Sequence, residues 1–147
     1  MSSAEPSIWV VDASVAFGWF VESPASAAAV RLLEASPPAQ LVAPELVLVE
    51  LLNAGWKAWH AGAISEPQFE GIAELAPALF SALVPAAALL PAAQRWSRRL
   101  DHPAYDCLYL ALAEARHAPL ITQDRRLLSR LGHDPQTAGM AVDLADL

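Results

Sequence analysis

The sequence predicts an α/β domain, a three-layer α/β/α sandwich around a short parallel sheet. Three observations lead there. Short apolar runs alternate with longer helical stretches, and such stretches are what connect parallel strands. The first run, Ile8-Trp-Val-Val, is apolar throughout, β-branched and too short for a helix, which marks a strand covered on both faces. At 147 residues, 55% apolar and 17% charged, the chain has the size and composition of one domain with a real core, which excludes intrinsic disorder as its main state. Residues 1–7 are expected to form a flexible N-terminus and 8–147 a single domain.

Taken in order, Ile8 to Val11 is the first strand and Asp12 follows it directly. Ala13 to Phe20 is expected to be helical, with Asp12 or Ser14 near its cap. A second helix covers Ala25 to Ala35 after Ser23-Pro24, since proline suits a first turn, and Ser36-Pro37-Pro38 stops it. Gln40 to Ala43 is a strand, Pro44 opens a long helix to about His60, and Gly62 ends it. Ser65-Glu66-Pro67 starts another helix, to Leu75 or beyond. Pro77, Pro85 and Pro91 are expected to interrupt the next stretch, leaving a short strand near Ala82 to Val84. Helices at Ala92 to Leu100 and Tyr105 to His117, a strand at Pro119 to Thr122, a helix from Asp124 to Leu131 and a strand at Met140 to Leu144 complete the pattern.

Composition narrows the function. With 9 basic against 16 acidic residues the formal charge is −7, which argues against a protein that coats DNA. The single cysteine, Cys107, excludes a disulfide framework and a Cys-rich zinc site. The apolar stretch Ile8 to Val21 is broken by Asp12 and too short to span a bilayer, so no membrane association is expected. Residues 1–7 carry Glu5 and no Lys or Arg, so no secretory leader is expected and a cytoplasmic location is.

Parallel α/β sheets bind ligands outside the carboxyl ends of their strands. Asp12 and Asp124 both stand at or just beyond a predicted strand end. Each taken alone is explained as a helix cap. Glu50 shares one side of its helix with Asn53, Lys57 and His60, opposite Leu48, Leu51, Leu52 and Trp59; alone it reads as part of a solvated face. Asp106 is different. Cys107-Leu-Tyr-Leu-Ala-Leu-Ala is apolar on nearly every side, and a carboxylate beside a buried helix is costly unless a cation, donor or dipole meets it. Four converging carboxylates make an oxygen cluster suited to Mg2+ or Mn2+, whereas zinc favours His or Cys. The histidines at 60, 102, 117 and 133 show no paired metal spacing. Carboxylate-held metals suit phosphodiester hydrolysis, because they activate water and neutralise phosphoryl charge.

Four segments carry a family resemblance: Val10-Val11-Asp12-Ala13-Ser14, Pro44-Glu45-Leu46 leading to Glu50-Leu-Leu-Asn53, Tyr105-Asp106-Cys-Leu-Tyr-Leu-Ala-Leu-Ala, and Leu120-Ile-Thr122-Gln-Asp124. Together, from about Ile8 to Leu131, they resemble the PIN domain, and most of all its VapC-type toxin branch. The resemblance implies a Mg2+- or Mn2+-dependent endoribonuclease with Asp12, Glu50, Asp106 and Asp124 as its acidic quartet. Asp12 and Asp106 would be the main metal ligands, and Ser14, Asn53 and Thr122 the supporting polar residues. It also implies a homodimer and a VapB-type antitoxin as protein partner. A non-catalytic module on the same scaffold and a phosphoacceptor receiver domain are the alternatives; the second lacks a lysine after the last strand.

For an acidic protein to hold RNA, cations must be grouped. Arg95, Arg98 and Arg99 form one group and Arg125, Arg126 and Arg130 another, and Arg125 and Arg126 follow Asp124 closely enough to contact a phosphate. The five tryptophans exceed what a small core needs, and Trp19, Phe20, Trp56 and Trp59 are the expected apolar surface.

Overall fold

The computed structural model describes residues 7–147, so the N-terminus expected to be flexible lies outside the described residues except for Ser7. Five strands form one all-parallel sheet: β1 (Ile8–Val11), β2 (Gln40–Pro44), β3 (Ala82–Val84), β4 (Leu120–Thr122) and β5 (Ala141–Asp143), in the order β3-β2-β1-β4-β5. Among the described residues the helices are α1 (Ala13–Ala16), α2 (Ser26–Glu34), α3 (Leu46–His60), α4 (Glu66–Leu75), α5 (Ala86–Leu100), α6 (Ala104–Arg116) and α7 (Arg125–Gly132). The three-layer α/β/α class is borne out. No helix of the described residues is long and apolar enough to cross a membrane.

Strand β1 is central because it is apolar on both faces: Val10 and Val11 are fully buried, as are Leu41 and Val42 beside them and Ile121 on the other flank. From β1 the chain moves outward through β2 to β3, then returns to place β4 on the opposite side of β1. The sheet therefore switches direction between β1 and β4, and a crevice opens there at the carboxyl ends. Helix α6, buried at every residue from Cys107 to Ala113, lies against β1, β2 and β4 and is covered by α5.

Several local details follow from capping chemistry. Ser65 accepts the Gln68 N–H while Gln68 accepts the Ser65 N–H, a capping box that starts α4. Beyond α3, Gly62 takes φ +75°, the left-handed geometry that ends a helix at little steric cost. Within α3, a Cβ on Gly55 would lie 2.4 Å from Ile72 Cδ1, so glycine permits the close approach of α4.

Three expectations need correction. The first helix is short: α1 ends at Ala16 and continues as a 3-10 turn, Phe17–Trp19. Helix α5 begins at Ala86, six residues early, and runs through Pro91. Pro91 lies on the exposed side, where water can serve the carbonyl it orphans, while Leu89, Ala93 and Trp96 anchor the opposite side. Trp19 and Phe20 are not free surface. Both pack partly buried against the core, and the Trp19 indole N–H donates to the Ala29 carbonyl at 2.8 Å.

Candidate active site

The site begins where β1 and β4 end. Asp12 caps α1: its Oδ1 accepts the Val15 N–H at 3.1 Å and the Ser14 hydroxyl at 2.6 Å. Its Oδ2 accepts the hydroxyl of Thr122, a fully buried residue at the end of β4. Thr122 Oγ1 in turn accepts the Asp124 N–H at 3.0 Å, and Ser14 Oγ accepts the Gln123 N–H at 3.2 Å. Two strand ends are thus clasped by side chains. Asp124 caps α7 through Oδ1, which accepts from Arg126 at 3.0 Å and Leu127 at 3.1 Å. Capping and site membership coexist, because Asp124 spends only one of its oxygens on the helix.

Burial pushes the Asp12 carboxyl up to about 6. The hydrogen bonds from Ser14, Thr122 and Val15 pull the other way, and the charge of Asp106 adds a smaller upward push. Asp106 reaches the crevice from the first turn of α6. Glu50 arrives from α3, half-buried rather than on a solvated face, and accepts the Tyr109 hydroxyl. Burial raises the Glu50 carboxyl above its usual range, and Asp106 adds to the rise. Burial and the adjacent Glu50 push the Tyr109 phenol further up, so it stays a donor.

Two participants were not legible as such. His102, in the turn between α5 and α6, brings Nε2 to 2.6 Å from Asp106 Oδ2. Tyr109 secures Glu50. Helical spacing was an available signal for Tyr109 alone, three residues after Asp106 on α6, whereas His102 precedes that helix and meets Asp106 through the turn at Asp101.

Ligand atoms of His102, Asp106 and Asp124 lie within 4.8 Å of one another. Two carboxylates with an imidazole beside them are groups that could hold a divalent metal ion. Beside it, a groove of about 290 Å3 is lined by Ser14, Phe17, Glu50, Asn53 and Lys57. Asn53 is exposed there and lies on the same side of α3 as Glu50. Arg125 pairs with Asp143 at 2.5 Å, while Arg126 has no ionic partner among the described residues. Of the tryptophans, Trp9 and Trp96 are buried. Trp56 and Trp59 are exposed on α3, stacked on His60 and Phe69 respectively.

A parallel α/β domain with carboxylates gathered at its sheet switch point presents an acidic crevice where such folds bind ligands. The sequence profile of the PIN domain matches residues 9–133, and the chain belongs to that family. PIN domains are typically metal-dependent nucleases. Among solved structures, the fold is similar to that of PAE2754 from Pyrobaculum aerophilum, with a TM-score of 0.65 at 24% identity over 94% of this chain and 84% of that one. No curated protein matches the sequence.

Proposed function

We propose that this protein is a Mg2+- or Mn2+-dependent endoribonuclease that hydrolyses RNA phosphodiesters through Asp12, Glu50, Asp106 and Asp124, and that it is the VapC-type toxin of a type II toxin–antitoxin pair in the cytoplasm. The observation that supports the catalytic part is the gathering of ligand atoms of Asp106 and Asp124 with His102 within 4.8 Å, with Asp12 tied to the same strand end through Thr122.

Asp12 and Asp106 would hold the cation, with Asp124 beside them. When bound, it supplies Lewis acidity toward a phosphoryl oxygen and lowers the pKa of a water. The protein's own groups do the rest. Ser14 and Thr122 orient Asp12 by donating to its two oxygens. Glu50, with its carboxyl raised and one oxygen held by Tyr109, accepts the proton of the attacking water at the other oxygen. Asn53, in the groove beside Glu50, and Arg126, in the first turn of α7, receive the RNA strand, Arg126 through phosphate oxygens, with Arg125 a further contact if it leaves Asp143.

The toxin role rests on the sequence resemblance and on the apolar surface of α3 and α4. Val49, Leu52, Trp56, Trp59 and Leu75 are exposed there. Such a surface suits a second copy of the chain and an amphipathic segment of a VapB-type antitoxin. A basic residue on that segment would enter the acidic crevice and block cation or RNA. Purified protein should cut a structured RNA in Mg2+ or Mn2+ and stop on addition of EDTA; cleavage that survives excess chelator sinks the metal mechanism. Light scattering should give a dimer, and co-expression with the neighbouring small reading frame should silence cleavage. A monomer whose activity ignores that neighbour would defeat the toxin role and leave the nuclease standing.

A further inference from the structure

The imidazole of His102 stands among the carboxylate oxygens of the crevice. Its side chain is only 2% exposed. One ring nitrogen, Nε2, faces Asp106 Oδ2 at 2.6 Å, while the other, Nδ1, is buried and has no hydrogen-bond partner. The two neutral tautomers are therefore unequal. A proton on Nδ1 would be a buried donor with nothing to meet it, and would leave a bare lone pair against a carboxylate oxygen. A proton on Nε2 makes a charge-assisted hydrogen bond and strands only an acceptor.

The ring is held independently of the acid it meets. Asp101 ends α5 in the left-handed conformation, φ 48°, which turns the chain inward. The His102 N–H donates to the Ser97 carbonyl at 3.2 Å. Its own carbonyl accepts the Ser97 hydroxyl at 2.7 Å and the Cys107 thiol at 3.8 Å. A backbone fixed by three bonds presents the ring to an Asp106 carboxylate that is about a third exposed, with a side-chain exposure of 32%. Of the two partners, the histidine is the anchored one.

We propose that His102 is a positioning residue for Asp106. Its Nε2–H pins Oδ2 and directs the remaining lone pairs of the carboxylate toward the cation shared with Asp12 and Asp124. A direct bond from the imidazole to the metal is the competing arrangement. A metal-bound histidine ordinarily donates its second N–H to an acceptor, and Nδ1 here is buried with no acceptor among the described residues. The inference rests on reading the crevice as a divalent cation site and adds to it a residue outside the acidic quartet.

Calorimetric Mn2+ titration of the full chain tests it, with His102→Leu removing the donor at similar volume and His102→Gln restoring an N–H. Loss of a partner that orients a ligand costs about 10–100-fold in metal affinity, and His102→Leu should fall in that range. His102→Gln should stay within about threefold of the wild type, a rescue that packing alone does not give. Pulsed EPR of the Mn2+-loaded wild type should show no directly coordinated imidazole nitrogen, and this measurement stands even if His102→Leu does not fold. Equal affinity in all three proteins, or a strong coordinated-nitrogen signal, overturns the positioning role. A wild type that binds no Mn2+ at all overturns the metal-site reading instead, so the two failures are distinguishable.

Discussion

The carboxyl end of the sheet and the outer side of α3 and α4 break the ordinary rules of protein surfaces in opposite directions. At the sheet end, carboxylates are drawn out of water and held by side-chain donors: Ser14 and Thr122 on Asp12, Tyr109 on Glu50, His102 on Asp106. On α3 and α4, hydrocarbon is left in water, with Val49 at 65% exposure and Leu75 at 55%. A single helix serves both, since Glu50 of α3 looks into the crevice while its neighbours Val49 and Leu52 point away. Each region is costly on its own, and under the proposed function each would be relieved by a ligand of matching character, a cation for one and an apolar partner for the other. Functional sites are where sequences break local rules, and here two candidate regions sit on either side of one helix.

The sharpest way to separate the regions is to neutralise the acids. Asp12→Asn and Asp106→Asn should each lower RNA cleavage by about 10^3-fold, or about 4 kcal/mol of transition-state stabilisation, with an unchanged circular dichroism spectrum. Loss of activity only through unfolding would make these acids structural. Glu50→Gln should cost about 10^2-fold at saturating cation as a proton acceptor is lost, and more when cation is limiting. A glutamate on a solvated face would show no change under either condition.

Stability should move the opposite way to activity. The Asp12 carboxyl is raised from 3.8 to about 6 in the fold, chiefly by burial. Without cation, the folded state therefore holds this proton more tightly than the unfolded chain does. Folding stability should be highest below pH 4 as far as this group is concerned, and fall as pH rises through about 6. Each pH unit between the unfolded and folded values removes about 1.4 kcal/mol, so cation-free Asp12→Asn at pH 7 should be more stable than the wild type by about 1–3 kcal/mol. Thermal unfolding in EDTA across that pH range checks it, and a wild type with no such decline would remove the argument. Under the proposed metal mechanism saturating Mg2+ should reverse the order, because it would bind only the intact acidic site.

The smallest effect on the isolated fold belongs to the apolar side. Leu52→Ser and Trp56→Ser should change monomer stability by no more than about 0.5 kcal/mol, since both residues are exposed. Their solution mass should nevertheless drop from dimer to monomer. A dimer that survives both substitutions would place its interface elsewhere on the molecule.

Local chemistry explains which elements were readable in advance. Strands β1 to β5 all fall where short apolar runs stand, and α4 starts at the Ser65 signature. The extent of α5 was not readable, because the disruptive power of Pro91 depends on whether its side of the helix meets water, which neighbouring α6 decides. Likewise α3 offers more apolar residues than it buries. Val47, Leu51 and Gly55 form the buried stripe, while Leu52 and Trp59, grouped by the helical wheel with the buried side, are exposed.

By itself the sequence determined the alternation of strands and helices, the caps that end them, and the presence of carboxylates just past two strands. These depend on residues close together in the chain. Only the tertiary structure decided which acids meet and what holds them. The bond from Thr122 to Asp12 spans 110 residues and that from Tyr109 to Glu50 spans 59. Such pairs exist because β4 returns to lie beside β1 and because α6 packs across the sheet. Capping preferences act over a single turn, whereas the order of strands is settled by burying both faces of the sheet at once, and that order brings a tyrosine and a threonine to the acids.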